Sequence, residues 1–263
     1  MPINKPIIVE IAKSTWLIDQ FGMGISYALL GEDKGLIIDA GSGLLNINDF
    51  AERLFKGKPY IVIYTHLDNS TAGGYKFIKA NQYAHPNELL NIDSISPNID
   101  NNVSVSLPKY SFVSGHIEAI DLSQDIDLGK RIIKLIFTPG VSKGNISLFD
   151  ENNKIMFSGN VLNYDLKLSS FVSDEFVSLQ TIKYLKPTRI FPSFLSMGNY
   201  CSFKSDLLDE AISCVHIALH TSGKAYLINN SNNVYRVNRI TMTINKDKIW
   251  HDYESNSPYP IGI

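Results

Sequence analysis

The order of apolar and polar positions along the chain predicts strands first. Ile7 to Ile11, Thr15 to Asp19 and Ser26 to Leu30 are short runs rich in β-branched and aromatic residues, with Gly22, Gly24 and Gly31 between them. Glu32-Asp33-Lys34-Gly35 reads as a hairpin turn and Leu36-Ile37-Ile38 as a buried strand, broken by the glycine-rich loop Asp39-Ala40-Gly41-Ser42-Gly43. Asn46 to Lys56 has a helical period, with Phe50, Leu54 and Phe55 on one face, Asn46 or Asn48 as a cap and Gly57 as a stop. Tyr60-Ile61-Val62-Ile63-Tyr64 is a continuous apolar run, the pattern of a strand covered on both faces. Thr65 to Gly74 is a polar loop leading into a short helix through Ile78.

Residues 91–117, rich in Asn, Ser and Pro, read as a long insertion or flap. Strands resume at Arg131 to Phe137, Ile146 to Phe149 and Ile155 to Ser158, with turns at Thr138-Pro139-Gly140 and Glu151-Asn152-Asn153. Asp174 to Leu185 predicts a helix and Arg189-Ile190-Phe191 a strand. Ser205 to Thr221 predicts the most regular helix, with Leu208, Ala211, Ile212, Val215 and Leu219 on one face and Gly223 as its stop. Val234 to Trp250 reads as a closing hairpin around Asn245-Lys246-Asp247. Strands with intervening helices in both halves imply a layered α/β architecture, and the lack of a repeat or a clean linker makes one domain over residues 1–263 the expectation.

Composition narrows the function classes. With 24 Lys+Arg against 26 Asp+Glu the net charge is −2, which argues against a nucleic-acid binder that relies on a basic face. A hydrophobic share of 44% excludes a disordered chain. Two cysteines, Cys201 and Cys214, imply no disulfide framework. The start Met-Pro-Ile-Asn-Lys-Pro lacks a basic segment before a long apolar run, and no apolar run approaches the roughly 18 residues of a membrane span. A cytoplasmic protein without a membrane or nucleic-acid partner is therefore expected.

Three loops follow apolar strands and have the form of site loops: Thr65 to Gly74, Thr138 to Gly144, and Phe157 to Leu162. Together with Tyr27-Ala28-Leu29-Leu30-Gly31, Lys34 to Gly41 with its Asp-x-Gly turn, Tyr83-Ala84-His85-Pro86, and Leu128-Gly129 before Ile132 to Ile136, they occur in an order that resembles the metallo-β-lactamase superfamily over roughly residues 15–195. The resemblance implies a four-layer αββα sandwich. It also implies a dinuclear metal site, which active members build from His-x-His-x-Asp-His and further ligands. Here the ungapped loop Thr65 to Gly74 keeps only His66 of those ligands. Asp68 stands for the second histidine, Ser70 for the aspartate and Thr71 for the final histidine. Val141 follows Thr138-Pro139-Gly140 where the family has a histidine, Asn160 follows Phe157-Ser158-Gly159 where it has a bridging aspartate, and Phe191-Pro192-Ser193-Phe194 supplies no last histidine. Zinc and similar ions need several His, Asp or Cys donors at short range. No metal and no other cofactor is expected, and without a metal-activated water the superfamily's hydroxide nucleophile has no source.

What remains is His66, as a general base or substrate donor or as a histidine tied into its loop; Asp68, orienting that ring or capping a helix that starts near Thr71; and Asn160, a neutral replica of the lost carboxylate that suits a hydrogen-bond partner or a substrate contact. Ser70, Thr71, Ser142 and Ser193 are the candidate substrate contacts, and Asp39 a structural residue holding the neighbouring loop. His216 and His220, four apart on a helix, read as polar boundary residues rather than a metal pair, and Cys214 as a buried small side chain. His116 and Glu118 at the end of the insertion read as surface groups. Three functions fit: a metal-independent enzyme or small-molecule-binding protein doing acid–base chemistry such as a cyclisation, dehydration or lyase step; a non-catalytic scaffold with a protein partner or a second copy; and a hydrolase with an atypical single-metal site.

Overall fold

A computed structural model describes residues 6–90, 92–97, 115–194, 200–220, 227–228 and 232–250. The first half carries β1 (Ile7–Ala12), β2 (Thr15–Asp19), β3 (Ile25–Leu30), β4 (Gly35–Ile38), α1 (Ile47–Phe55), β5 (Tyr60–Ile63), β6 (Gln82–Ala84), α2 (Pro86–Leu89) and β7 (Ile117–Ala119). The second half carries β8 (Ile126–Asp127), β9 (Ile132–Phe137), β10 (Ile146–Asp150), β11 (Ile155–Gly159), β12 (Asp165–Lys167), α3 (Val172–Leu185), β13 (Arg189–Pro192), α4 (Ser205–His220), β14 (Leu227–Ile228), β15 (Asn232–Val237) and β16 (Ile240–Asn245).

β1 to β7 form one sheet in chain order, antiparallel through β4 and parallel from β4 to β7. A second sheet runs β13-β11-β10-β9-β8, with β11 and β13 parallel, and a third runs β12-β16-β15-β14. The layering follows from side-chain alternation, because successive residues of a strand face opposite sides. On the first sheet Leu17, Tyr27, Leu29, Leu36, Ile38 and Ile63 face a core shared with Leu148, Phe157 and Phe191 of the second sheet. Their alternates Ile18, Ala28, Ile37 and Val62 face Ile47, Phe50, Ala51 and Phe55 of α1. The apolar run through β5 is thus explained by a strand with cover on both faces. α3 and α4 bring Leu179, Ile182, Leu208 and Val215 to the large core, which completes the αββα order.

Two differences from the sequence reading have physical causes. The closing hairpin is present, but its turn is at Asn238-Arg239, where Asn238 takes a left-handed φ of +49°; Asn245-Lys246-Asp247 follows β16, and Asp247 N–H donates to Asn245 Oδ1. Asn-Lys-Asp and Asn-Arg both suit turns, and the cross-strand pairs Tyr235 with Met242 and Val237 with Ile240 decide between them. The short strands β6 and β7 escape a periodicity search because three residues carry no period. Ile117 therefore belongs to β7 rather than to the insertion; of that insertion Ile92–Ser94 is a 3-10 turn and residues 98–114 lie outside the described residues. The predicted stop at Gly223 lies outside them too, α4 being described as far as His220. Cys214 is buried, Cys201 exposed, and no helix among the described residues is long and apolar enough to cross a membrane.

Candidate active-site cavity

The parallel strands β4 and β5 end side by side, and their trailing loops are locked together. Asp39 leaves β4 at φ +60° and is fully buried. Its Oδ1 accepts from the Thr65 backbone N–H at 2.8 Å, and its Oδ2 accepts from Ser193 Oγ at 2.6 Å and lies 3.0 Å from Thr65 Oγ1. Ala40 and Gly41 N–H both donate to the Thr71 carbonyl, at 2.7 and 2.9 Å. Asp39 is the structural brace expected of it. Burial raises its carboxyl to about 6 even though the His66 charge and the Ser193 and Thr65 donors act the other way.

The brace aims His66. Its Nδ1 lies 3.0 Å from Thr65 Oγ1, and its Nε2 lies 3.2 Å from Asp68 Oδ2 and 3.2 Å from the Asn160 carboxamide. Burial alone would lower the imidazole pKa; the charge and hydrogen bond of Asp68, then the charges of Asp39 and Glu88, reverse this and push it up to about 9. Asp68 shows the mirror effect: burial raises its carboxyl, but the His66 charge and the Ser70 and Thr71 donors carry it well below the usual carboxylate range. A charged imidazolium fits the hydrogen bonds. Nδ1–H donates to Thr65 Oγ1, whose own proton goes to Asp39, and Nε2–H donates to Asp68 Oδ2. The Asn160 Oδ1 is buried without a partner among the described residues; turning that carboxamide over sets Oδ1 against Nε2–H and satisfies both.

Asp68 contacts the His66 ring and closes a turn, but no helix among the described residues starts near Thr71 for it to cap, the next helical turn beginning at Tyr75. Oδ2 faces His66, while Oδ1 accepts from Ser70 N–H, Ser70 Oγ and Thr71 N–H at 2.7, 2.7 and 2.9 Å. Glu88, which sequence reasoning missed, ties two site loops together: Oε2 accepts from Leu67 N–H and Oε1 from Gly144 N–H, both at 2.8 Å. A Cβ at Gly144 would stand 2.7 Å from Glu88 Oε1, so a larger residue there would push the Glu88 side chain off its two N–H partners. The signal available was an acidic residue just after the His85-Pro86 helix start, which points nowhere without tertiary contacts.

His66, Asp68, Glu88, Val141, Ser142 and Asn160 open onto one cavity of about 910 Å³. Ser142 thus joins His66, Asp68 and Asn160, and its buried hydroxyl has no partner among the described residues. Ser70, Thr71 and Ser193 do not reach the cavity wall. Ser70 Oγ is committed to Asp68, Thr71 Oγ1 donates to the His66 carbonyl at 2.8 Å, and Ser193 Oγ braces Asp39. His116 is exposed, and His216 and His220 lie exposed on α4 with ring centroids 4.3 Å apart.

The order and pairing of these strands have close parallels among solved structures. A metallo-β-lactamase from Pontibacter korlensis superposes with a TM-score of 0.60 over 81% of this chain and 99% of that one, at 14% identity. In sequence, the acyl-coenzyme A thioesterase MBLAC2 of Gallus gallus is 29% identical over a segment covering 59% of this chain and 65% of that protein, and that of Homo sapiens is 27% identical over 51% and 56%. The chain has the metallo-β-lactamase fold. It spans less than two thirds of the length of these curated relatives, and no family model matches it.

The resemblance implies a dinuclear metal centre, and the side chains in this cavity do not fit one. Val141 has no donor atom, Asn160 is a neutral carboxamide, Thr71 faces backbone, and His66 is saturated by Asp68, Thr65 and Asn160. Among the described residues no three His, Cys, Asp or Glu side chains gather as a metal would require.

Proposed function

We propose that this chain is a metal-independent member of the metallo-β-lactamase superfamily that binds a small molecule in the His66 cavity and presents the imidazolium to it as a proton donor. The observation that carries this reading is the position of His66 Nε2, held on the cavity floor between Asp68 Oδ2 and the Asn160 carboxamide, where the fold would otherwise gather metal ligands. In this role the Nε2–H that rests on Asp68 Oδ2 turns to the bound molecule and protonates a leaving oxygen in a dehydration or lyase step, or a carbonyl oxygen in a cyclisation, while the Nδ1–H bond to Thr65 Oγ1 keeps the ring oriented. Ser142 contributes a hydroxyl without a partner among the described residues to the same wall, beside the Asn160 carboxamide. The open cavity supports a pocket function over a scaffold, in which a filled pocket is expected.

The sequence relatives favour a second reading, hydrolysis of an acyl thioester, since the matched proteins carry that activity in their names. One experiment separates the readings. Protein purified without chelator is assayed for bound transition metals, then treated with EDTA and assayed for thiol release from acetyl-CoA and palmitoyl-CoA. We expect substoichiometric metal, an unchanged melting temperature after EDTA and no metal-dependent thiol release. One equivalent of zinc, iron or manganese that leaves with EDTA and takes a thioesterase activity with it would overturn the metal-independent reading.

A further inference from the structure

Three of the seven exposed large apolar side chains among the described residues stand at this one cavity. They are Leu90, 84% exposed, Phe194, 44%, and Tyr164, 37%. Clustering of exposed apolar surface at a concavity marks a binding surface, whereas single exposed apolar residues are ordinary. The same cavity is lined by Lys143, Lys167 and Lys248. Its acidic groups are already committed: Asp68 to His66, Asp165 to Lys167 at 3.4 Å, and Glu88 to two backbone N–H groups. Among the described residues Lys248 Nζ donates to the neutral Ser169 carbonyl, and neither its charge nor that of Lys143 is paired there with a carboxylate of the cavity. Apolar and cationic features are also neighbours, because Asn87 Nδ2 donates to the Lys143 carbonyl and Leu90 follows from the same short helix.

We propose that the cavity takes an amphipathic anion, a hydrocarbon chain ending in a carboxylate or phosphate, with the chain against Leu90, Tyr164 and Phe194 and the charged head against Lys143 and Lys248. This rests on the reading of the cavity as a small-molecule site and names the class of molecule it accepts. A molecule so placed lies across the His66 floor with both ends held, which is how binding remote from a reacting atom fixes its position.

Calorimetric titration of the full chain with octanoate, decanoate, dodecanoate and dodecyl phosphate, below their micelle thresholds, tests the assignment, with dodecyltrimethylammonium as the cationic control. Affinity is expected to rise about threefold per added methylene, as burial of chain surface requires. It should fall on raising the salt, and the tighter of the carboxylate and phosphate arms identifies the head group. Leu90→Asp, at a position too exposed to disturb folding, should weaken dodecanoate about tenfold and flatten the chain-length series. Lys143→Gln with Lys248→Gln should weaken both anions while leaving the chain-length slope intact. Affinity independent of chain length, equal binding of the cationic control, or unchanged binding by Leu90→Asp would each overturn the proposal. Titration of His66→Gln keeps it separate from the function above: retained dodecanoate binding supports the ligand class whatever becomes of the proton-donor role, and a metal found at His66 would sink that role without altering the chain-length slope.

Discussion

At the scale of the residue, the charge of His66 is set by its neighbours. Burial acts to lower its pKa, but the charges of Asp68, Asp39 and Glu88 raise it to about 9. The sign of its effect on stability follows from linkage. A histidine whose folded pKa lies above its unfolded value of about 6.5 binds its proton more tightly when folded. Its contribution is complete below pH 6.5 and is lost as pH rises through 9. Full conversion of that shift would give about 3 kcal/mol; Asp68 is 44% exposed on its side chain and solvent screens the pair, so about 2 kcal/mol is expected. Asp39 does not confuse the window, because its raised pKa of about 6 places its titration below it. Urea unfolding at pH 7 and pH 10 should show the unmodified protein losing about 2 kcal/mol more than His66→Gln over that interval. Parallel losses in the two proteins would mean that His66 is neutral at pH 7.

At the scale of the element, the site loops rest on helix starts, and one of these holds an unresolved cost. Glu175 lies in the first turn of α3, fully buried beneath the Gly140 turn, and neither carboxyl oxygen has a partner among the described residues. A Cβ on Gly140 would stand 1.6 Å from Glu175 Oε2, so the turn and the carboxyl are pressed together. Burial, and then the charge of Asp174, raise its pKa well above the usual value, which favours the neutral acid. A raised carboxyl penalises the folded state progressively as pH climbs above the unfolded value near 4.5. Glu175→Met, close in volume and without the desolvated carboxyl, should therefore raise stability by about 1 kcal/mol at pH 7 and by less at pH 4. A loss of stability in thermal melts at both pH values would mean that the carboxyl has a partner. The same region shows what the sequence makes legible. The strands β1 to β5 and β9 to β11, the Thr65 loop, the Thr138 turn and the Phe157 to Leu162 loop announce themselves through apolar runs and glycine, and with them His66, Asp68 and Asn160. Glu175 and Glu88 do not, since a buried glutamate reads as a solvated one until the segment over it is placed. Ser70, Thr71 and Ser193 were legible as site-loop residues but not as braces, because which way a hydroxyl turns depends on partners such as Asp39, 154 positions from Ser193.

At the scale of the whole molecule, the two large sheets need registration as well as a shared apolar core, because dispersion and burial are non-directional. Arg131 supplies it. It precedes β9 of the second sheet, and its guanidinium donates to the Ser14 and Leu30 carbonyls at 2.9 and 3.1 Å and to Thr15 Oγ1 at 2.6 Å, all where β2 begins and β3 ends in the first sheet. The same group is paired with Asp150, which is 0% exposed. Asp150 is held in turn by the Asn153 backbone and side chain, at 3.2 and 2.7 Å. Removing one partner of such a pair leaves an uncompensated buried charge, at about 3–5 kcal/mol, whereas replacing both with apolar groups leaves none. Arg131→Met should thus destabilise by about 3–5 kcal/mol, a large share of the roughly 5–15 kcal/mol that holds a domain folded. Arg131→Met combined with Asp150→Leu should recover at least half of that loss, read from urea midpoints or, if the single variant does not fold, from the return of a cooperative transition. The recovered protein would retain the core and lose the registering contacts to Ser14, Thr15 and Leu30. Since β4, β5 and β11 must meet in register to bring His66 to Asn160, weaker ligand binding at equal stability in the double variant would show that this clip positions the cavity. Full recovery of both stability and binding would show that core packing alone aligns the sheets.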